Sequence, residues 1–365
     1  MSDLTAISFH EKFKSYDLGP GHPFRGDRFS DAMQYFREQG LLSDPRVTLI
    51  QPQPASEKDL LRVHDEEYVK LIFDLAKMRK PYDIETPVTP DILEASLLIC
   101  GSAMKCGDTV MQNTARRAVS VGGGYHHAGR SYGGGFCIFN DVAVLTEHLR
   151  ARYNLQRFLI LDYDVHFGNG TSDIYYRDPT VLYISLHQDP RTIYPGTGFV
   201  HQIGEGEGTG FNINVPLPPG TGDDTYLYAL NEIFVPLAEE FSPDIIIANG
   251  GSDSHFADTL GQLALTTKGF FELSRAVRQT ADKVCNGKLV LLPGSGYNPK
   301  VLPQCWYALV AGAVGLREIE FKEPYAPPIE PSDRRKIVQN TIDELKRILR
   351  KHWACFDGFA ISGVN

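Results

Sequence analysis

Several features that mark whole protein classes are missing from this 365-residue chain. No apolar run approaches the ~20 residues needed to span a bilayer, so no membrane association is expected. The opening MSDLTAISFH has neither the basic start nor the apolar stretch of a secretory signal. An excess of basic residues is also missing: 36 Lys and Arg against 45 Asp and Glu leave a net charge of -9. That balance argues against direct nucleic-acid binding, although local basic patches stay open. The six cysteines, Cys100, Cys106, Cys137, Cys285, Cys305 and Cys355, form no CxxC and no zinc-ribbon spacing. They read as reduced, mostly buried thiols of a cytoplasmic protein. There is no HExxH, no G-x-S-x-G elbow and no Gly-Lys-Ser/Thr phosphate loop, and no G-x-G-x-x-G stands at the strand-end turns. Internal repeats and low-complexity tracts are absent too.

What is present is an alternation. Short apolar, β-branched runs recur at VTLI (47–50), AVSVGG (118–123), RFLILD (157–162), VLYISL (181–186), FNINVPL (211–217), DIIIANGG (244–251) and KLVLLPGSG (288–296). Several are almost uniformly hydrophobic, as strands covered on both faces must be. Between them lie helix-period segments such as 31–42, 90–110 and 267–284. Strand alternating with helix predicts an α/β fold with a mostly parallel sheet, and in such sheets chemistry sits beyond the carboxyl ends of the strands. Near residue 323 the texture changes. EPYAPPIEPSD reads as an extended linker. After it, Ile337, Ile342, Leu345, Ile348, Leu349 and Trp353 share one face of a C-terminal amphipathic helix, with Ser332 as its N-cap. The division expected is therefore a catalytic unit over 1–322 and a linker plus helix over 323–365. That helix either packs on its own domain or forms a homo-oligomer contact.

Polar residues gather where the strands end. GGGYHHAGRSYGGGFC (122–137) places His126 beside His127 among glycines; adjacent side chains diverge, so the pair is poorly suited to gripping one metal ion. In LDYDVHFGNG (161–170), an extended chain would point Asp162, Asp164 and His166 to one side. Buried carboxylates and an imidazole need compensation, which a divalent cation supplies, although acidic strand ends also cap helices. Asp253, after DIIIANGG, is by itself either a helix cap or a further ligand. Asp164, His166 and Asp253 together would leave an open coordination position, the pattern of a catalytic site; one imidazole and two carboxylates suit zinc, iron(II) or cobalt. Tyr297, in GSGYNP, either packs over its loop or reaches into a cleft.

With these motifs assembled, the chain resembles the metal-dependent histone deacetylases and their prokaryotic relatives, including acetoin-utilisation proteins. The likeness runs through GPGHPFRGDRF (19–29), LRVHDEEYVKLI (61–72), the histidine-pair segment to FND (141), LDYDVHFGNGTSDIYY (161–176), ISLHQDPRTIYPGTG (184–198), GSDSHFADTLGQL (251–263) and GSGYNP, covering about nine-tenths of the chain. It implies the arginase–deacetylase fold, a single domain with an eight-stranded parallel sheet, and a hydrolase that releases acetate from an acylated lysine or a small acylated amine. It further implies Asp164, His166 and Asp253 as metal ligands, His126 and His127 as catalytic histidines, Asp162 as the group holding His126, and Tyr297 as the oxyanion donor. Phe136, Gly135 and Tyr194 match the acyl tunnel, Glu85 an acidic rim residue, and Arg28 an internal acetate channel. Asp162, Asp164, His166, Ser185 and Leu186 match a structural potassium site. Leu260 falls where polyamine-selective members carry a glutamate. Phe167 and Asn169 depart from the common histidine and aspartate, and Asn249, Gly251 and Ser252 from a small-apolar run. These departures bear on substrate and rate rather than on reaction class.

Overall fold

Eight strands form one parallel sheet in the computed structural model, which describes residues 3–317 and 319–358. They are β1 (Thr5–Ser8), β2 (Val47–Ile50), β3 (Arg117–Ser120), β4 (Phe158–Asp162), β5 (Val181–Gln188), β6 (Asn212–Leu217), β7 (Ile245–Gly250) and β8 (Leu289–Pro293). Their order across the sheet is β2-β1-β3-β8-β7-β4-β5-β6. Every residue of β4, β5, β7 and β8 is buried, because helices cover both faces and leave no side of the strand for water. This is the α/β, eight-stranded parallel architecture that the resemblance implies. One strand, β1, was not among the apolar runs read from the sequence.

The helices are α1 (Asp27–Glu38), α2 (Glu57–Leu60), α3 (Glu66–Met78), α4 (Pro90–Met111), α5 (Asp141–Tyr153), α6 (Asn169–Tyr175), α7 (Asp223–Phe241), α8 (Thr267–Val284), α9 (Leu302–Val314) and α10 (Arg334–Leu349). Local chemistry sets their starts: the Thr89 hydroxyl accepts from Ile92 N–H ahead of Pro90, and Asn140 and Thr266 cap α5 and α8 in the same way. The segment expected over 31–42 is corrected to α1. Gly40 takes a left-handed φ of 74° and ends the helix, and Leu41–Ser43 form a separate 3-10 turn. Among the described residues no helix is long and apolar enough to cross a membrane. Cys100, Cys106, Cys137, Cys285 and Cys305 are buried free thiols and Cys355 is an exposed one.

The C-terminal segment differs in detail from its sequence reading. Its last residues, 359–365, lie outside the described part. Asp333, not Ser332, occupies the N-cap position, without a side-chain cap; the Arg334 N–H that a Ser332 cap would use bonds to Pro331 O at 3.0 Å. The apolar face is Val338, Ile342, Leu345, Leu349 and Trp353, all buried against the chain's own α7 and β6 side; Ile337 points outward and is 39% exposed. Ahead of α10 the proline-rich stretch is tied down at two points. Glu323 accepts from Thr267 N–H and pairs with His255, while Glu330 accepts from Gly222 N–H and the Thr225 hydroxyl.

Candidate active site

Neighbouring strands bring the polar strand ends together. In the sheet β3, β8, β7 and β4 are consecutive, and beyond their carboxyl ends stand, in that order, His126–His127, Tyr297, Asp253, and Asp164 with His166. All except half-buried Tyr297 are buried.

Asp164, His166 and Asp253 each offer one ligand atom, all within 4.8 Å of one another. His166 Nδ1 lies 3.0 Å from Asp164 Oδ1 and 3.4 Å from Asp253 Oδ2. That Asp253 oxygen is buried and has no hydrogen-bond partner, whereas Oδ1 accepts from the Ser295 hydroxyl at 2.9 Å. Burial, then the Asp164 charge, pushes the Asp253 carboxyl up to about 7. Burial also acts against charge on Asp164, but His126 and His166 outweigh it and hold that carboxyl below its ordinary value. His166 is pulled down by burial and more than restored by the two carboxylates, to about 10. Two dry carboxylates, one with an orphaned oxygen, around an imidazole nitrogen form a donor set that fits a divalent cation such as zinc, iron(II) or cobalt.

One step of the sequence reasoning is corrected. Strand β4 stops at Asp162, so period-two alternation does not carry Asp162, Asp164 and His166 to one side. The chain turns instead: His166 N–H bonds to Asp164 Oδ1 at 2.8 Å, and Asp162 faces elsewhere. Its Oδ2 takes the Nδ1–H of His126 at 2.7 Å and the Tyr183 hydroxyl at 2.9 Å.

The two histidines share a proton by necessity. His127 Nδ1 lies 2.7 Å from Asn169 Oδ1, an acceptor, so both Nδ1 atoms carry hydrogen. The two Nε2 atoms are 3.1 Å apart and would oppose lone pairs unless one proton lies between them. Charge decides its owner. Burial disfavours a charged His126, but Asp162 and Asp164 overcome this and raise its pKa to about 9. Burial together with the charges of His126 and His166 pushes His127 well below its ordinary value. His126 therefore carries the charge and His127 is the neutral imidazole.

The backbone here admits only particular residues. A Cβ on Gly135 would sit 2.3 Å from the His127 ring, and one on Gly168 would meet Asp162 Oδ2 at 2.4 Å. Phe136 adopts φ 69°, unusual for a bulky residue, with its carbonyl held by the Tyr16 hydroxyl at 2.7 Å. A cavity of about 330 Å³ opens from His127 and His166 to the surface, and Phe136, Gly135, Tyr194, Leu260, Glu85 and Tyr297 all line it. Tyr297 stands between the Phe136 ring, at 5.8 Å, and the His166 ring, at 6.3 Å. Its backbone N–H is fixed to Asp258 Oδ2 at 2.7 Å. Arg28 is buried behind it, bonded to the carbonyls of Pro23, Arg25 and Gly294.

On the other side of β4, Ser185 is in register with Asp162; its hydroxyl pairs with His187 Nδ1 at 2.7 Å, and Leu186 O accepts from Tyr226 at 3.2 Å. Phe167 is buried against the His187 and Tyr183 rings. The sequence reading did not single out Tyr183, Ser295, Asp258 or Tyr132. It noted Asn249 only as a departure, yet Asn249 is in register with Asp162 and its amide lies 3.3 Å from His126 Nδ1. Parallel register is the signal that finds it, because the strands on both sides of β4 must supply neighbours to its terminal carboxylate.

The family model for the histone deacetylase domain matches residues 22–313. A probable deacetylase of Archaeoglobus fulgidus is 35% identical over 97% of this chain and 99% of its own length. The acetoin utilization protein AcuC of Bacillus subtilis is 32% identical over 82% of this chain and 79% of its own. Among solved structures, the HDA15 HD domain aligns with a TM-score of 0.84 at 26% identity, covering 97% of each chain.

Proposed function

The chain belongs to the histone deacetylase family, hydrolases of amide bonds, and on that footing we propose that it is a zinc-dependent deacylase. It cleaves an N-acetyl amide, on lysine or on a small amine, to free amine and acetate. The observation that carries this reading is the buried Asp164–His166–Asp253 set facing a proton-sharing histidine pair. Asp164, His166 and Asp253 would hold the cation, which when bound would supply Lewis acidity to the acyl carbonyl and to water; iron(II) or cobalt suit the same donors.

This chain's own residues do the rest. His127, neutral and with Nε2 as its basic atom, takes the proton of the attacking water and passes it to the leaving amine. His126, locked by Asp162, is the electrostatic partner that stabilises negative charge as it develops. The Tyr297 phenol donates to the nascent oxyanion, worth about 3 kcal/mol by analogy with other such donors. Phe136 and Tyr194 hold the acyl-bearing stem with Gly135 as the floor, and Glu85 at the exposed rim receives the substrate's backbone or amine. Leu260 gives no carboxylate for a second ammonium, which disfavours polyamines. Potassium at Asp162, Asp164, His166, Ser185 and Leu186 would brace the strand ends. The catalytic unit spans 1–322 with the C-terminal helix packed on it as part of its core, and a cytoplasmic location fits the reduced thiols.

The decisive experiment screens acyl-lysine peptides and acetylated small amines while measuring metal content on the same sample. Acetate and amine should appear in equal amounts, in proportion to bound metal, and Tyr297→Phe should abolish most turnover while retaining metal. Binding of an acylated ligand without any acetate release would make the protein a recognition module instead.

A further inference from the structure

Asn169 is the first link of a chain that continues away from the cavity. Its Nδ2 lies 3.2 Å from the Tyr132 hydroxyl, and that hydroxyl donates to the Asp173 carboxylate. Asn169 and Asp173 are four residues apart on α6, so they share one face of the helix, and Tyr132 spans them from the loop that carries the histidine pair. Tyr132 owes its place to Gly129, where a Cβ would come within 2.3 Å of the ring.

The polarity of this chain is set from its outer end, in the same sense as the proton that His126 shares with His127 Nε2. A carboxylate only accepts, so the Tyr132 hydrogen goes to Asp173. The tyrosine oxygen is then left to accept from Asn169 Nδ2. The amide thereby turns its oxygen to His127, which must answer with Nδ1–H and keep Nε2 as the lone pair. An amide needs such a reference because its two orientations have almost the same shape. Reversed, it would offer N–H to His127 and place the ring's only proton on Nε2, the atom that has to act as base. An aspartate at 169 would need no reference, since both its oxygens accept.

We propose that Tyr132 and Asp173 are positioning residues that fix the orientation of the Asn169 amide and, through it, the tautomer of His127. The kinetic consequence rests on the deacylase reading above; the tautomer itself does not. The test is a double-mutant cycle in the zinc-loaded protein: Tyr132→Phe and Asp173→Ala, each in the wild-type and in the Asn169→Asp background. Turnover of an acetyl-lysine peptide gives kcat and KM separately. Nitrogen-15 shifts of the His127 ring, assigned by loss of its signals in His127→Gln, report the tautomer.

In the wild-type background each substitution should lower kcat about tenfold, the scale of partners that orient a catalytic ligand, with KM unchanged. The His127 ring should pass from one Nδ1–H tautomer to a mixture. With Asp at 169 the same substitutions should change kcat less than about twofold, the usual error of additivity. Equal losses in both backgrounds would reduce Tyr132 and Asp173 to packing residues and overturn the proposal. So would a single, unchanged Nδ1–H tautomer in Tyr132→Phe. A wild-type protein that releases no acetate would refute the deacylase reading, while the ring shifts would still decide the role of Tyr132.

Discussion

Acid should destabilise this protein through two histidines that take no part in the proposed chemistry. His64 donates from Nδ1 to Gly129 O at 2.8 Å and accepts Asn140 N–H on Nε2 at 3.1 Å. His187 donates from Nε2 to Gly198 O at 2.8 Å and accepts the Ser185 hydroxyl on Nδ1 at 2.7 Å. Every ring nitrogen is committed, so a second proton sets donor against donor at His64 and forces the Ser185 hydroxyl to turn round at His187, each in a buried place. Burial pulls both down from 6.5 to about 4. The sign follows from linkage: the unfolded chain accepts a proton that the folded one refuses. The contribution is full above pH 6.5 and is lost as pH falls to about 4, and each ring is worth roughly 3 kcal/mol over that window.

Carboxyls held above their ordinary value oppose them, Asp141 among them. Burial raises Asp141 from 3.8 to about 6, although the N–H groups of Tyr125 and Gly124 pull it back. Its contribution is present below its unfolded pKa and is lost as pH rises to about 6, offsetting about one histidine. Over pH 4.5 to 6 these three groups should together leave stability rising by about 1.4 kcal/mol per pH unit, the slope of one net proton. Urea unfolding at fixed metal concentration measures the slope, and His64→Gln should lower it by about that amount, since the groups common to both proteins cancel in the difference. An identical slope in wild type and His64→Gln would refute the reasoning, whatever the absolute stabilities.

Three further outcomes are expected. Gly135→Ala forces a Cβ onto the His127 ring 2.3 Å away; kcat should fall about a hundredfold, as for a misplaced catalytic group, while thermal unfolding stays cooperative. Ser295→Ala removes the hydroxyl that orients Asp253, and chelator competition should show metal affinity about tenfold weaker, with unchanged affinity counting against that role. A chain ending at 322 uncovers the surface that buries Val338, Ile342, Leu345 and Leu349. At about 2 kcal/mol each, that approaches the whole stability of a domain, so calorimetry should find no cooperative transition.

Buried parallel strands are readable because both faces must be apolar: RFLILD and DIIIANGG fall within a residue of β4 and β7, while KLVLLPGSG starts one residue before β8 and runs three past it. Four-residue β1, TAIS, has too few apolar positions to show a period, and its pairing with β2 and β3 makes it a strand. In α10 periodicity announces a buried face and assigns Ile337 to it, but packing against α7 buries the neighbouring Val338 instead. Ser332 failed as a cap because a turn from Pro331 had already taken the Arg334 N–H.

The site shows the same division. Charged groups at strand ends stand out in a sequence because burying them is costly, so Asp164, His166 and Asp253 were visible before any geometry. The direction in which they point was not, since a turn rather than a strand carries Asp164 and His166. Neutral partners such as Tyr183 and Ser295 cost little to bury once bonded, and exposed Asp173 costs nothing, so composition passes over all three. Register recovers part of them. Asp162 ends β4 with Ser185 beside it in β5 and Asn249 beside it in β7, a row of three polar residues across neighbouring buried strands. A polar row at that depth has to be mutually satisfied or to hold something. Once a strand order is known, the residues flanking a buried terminal acid are therefore the first place to look for the groups that tune it.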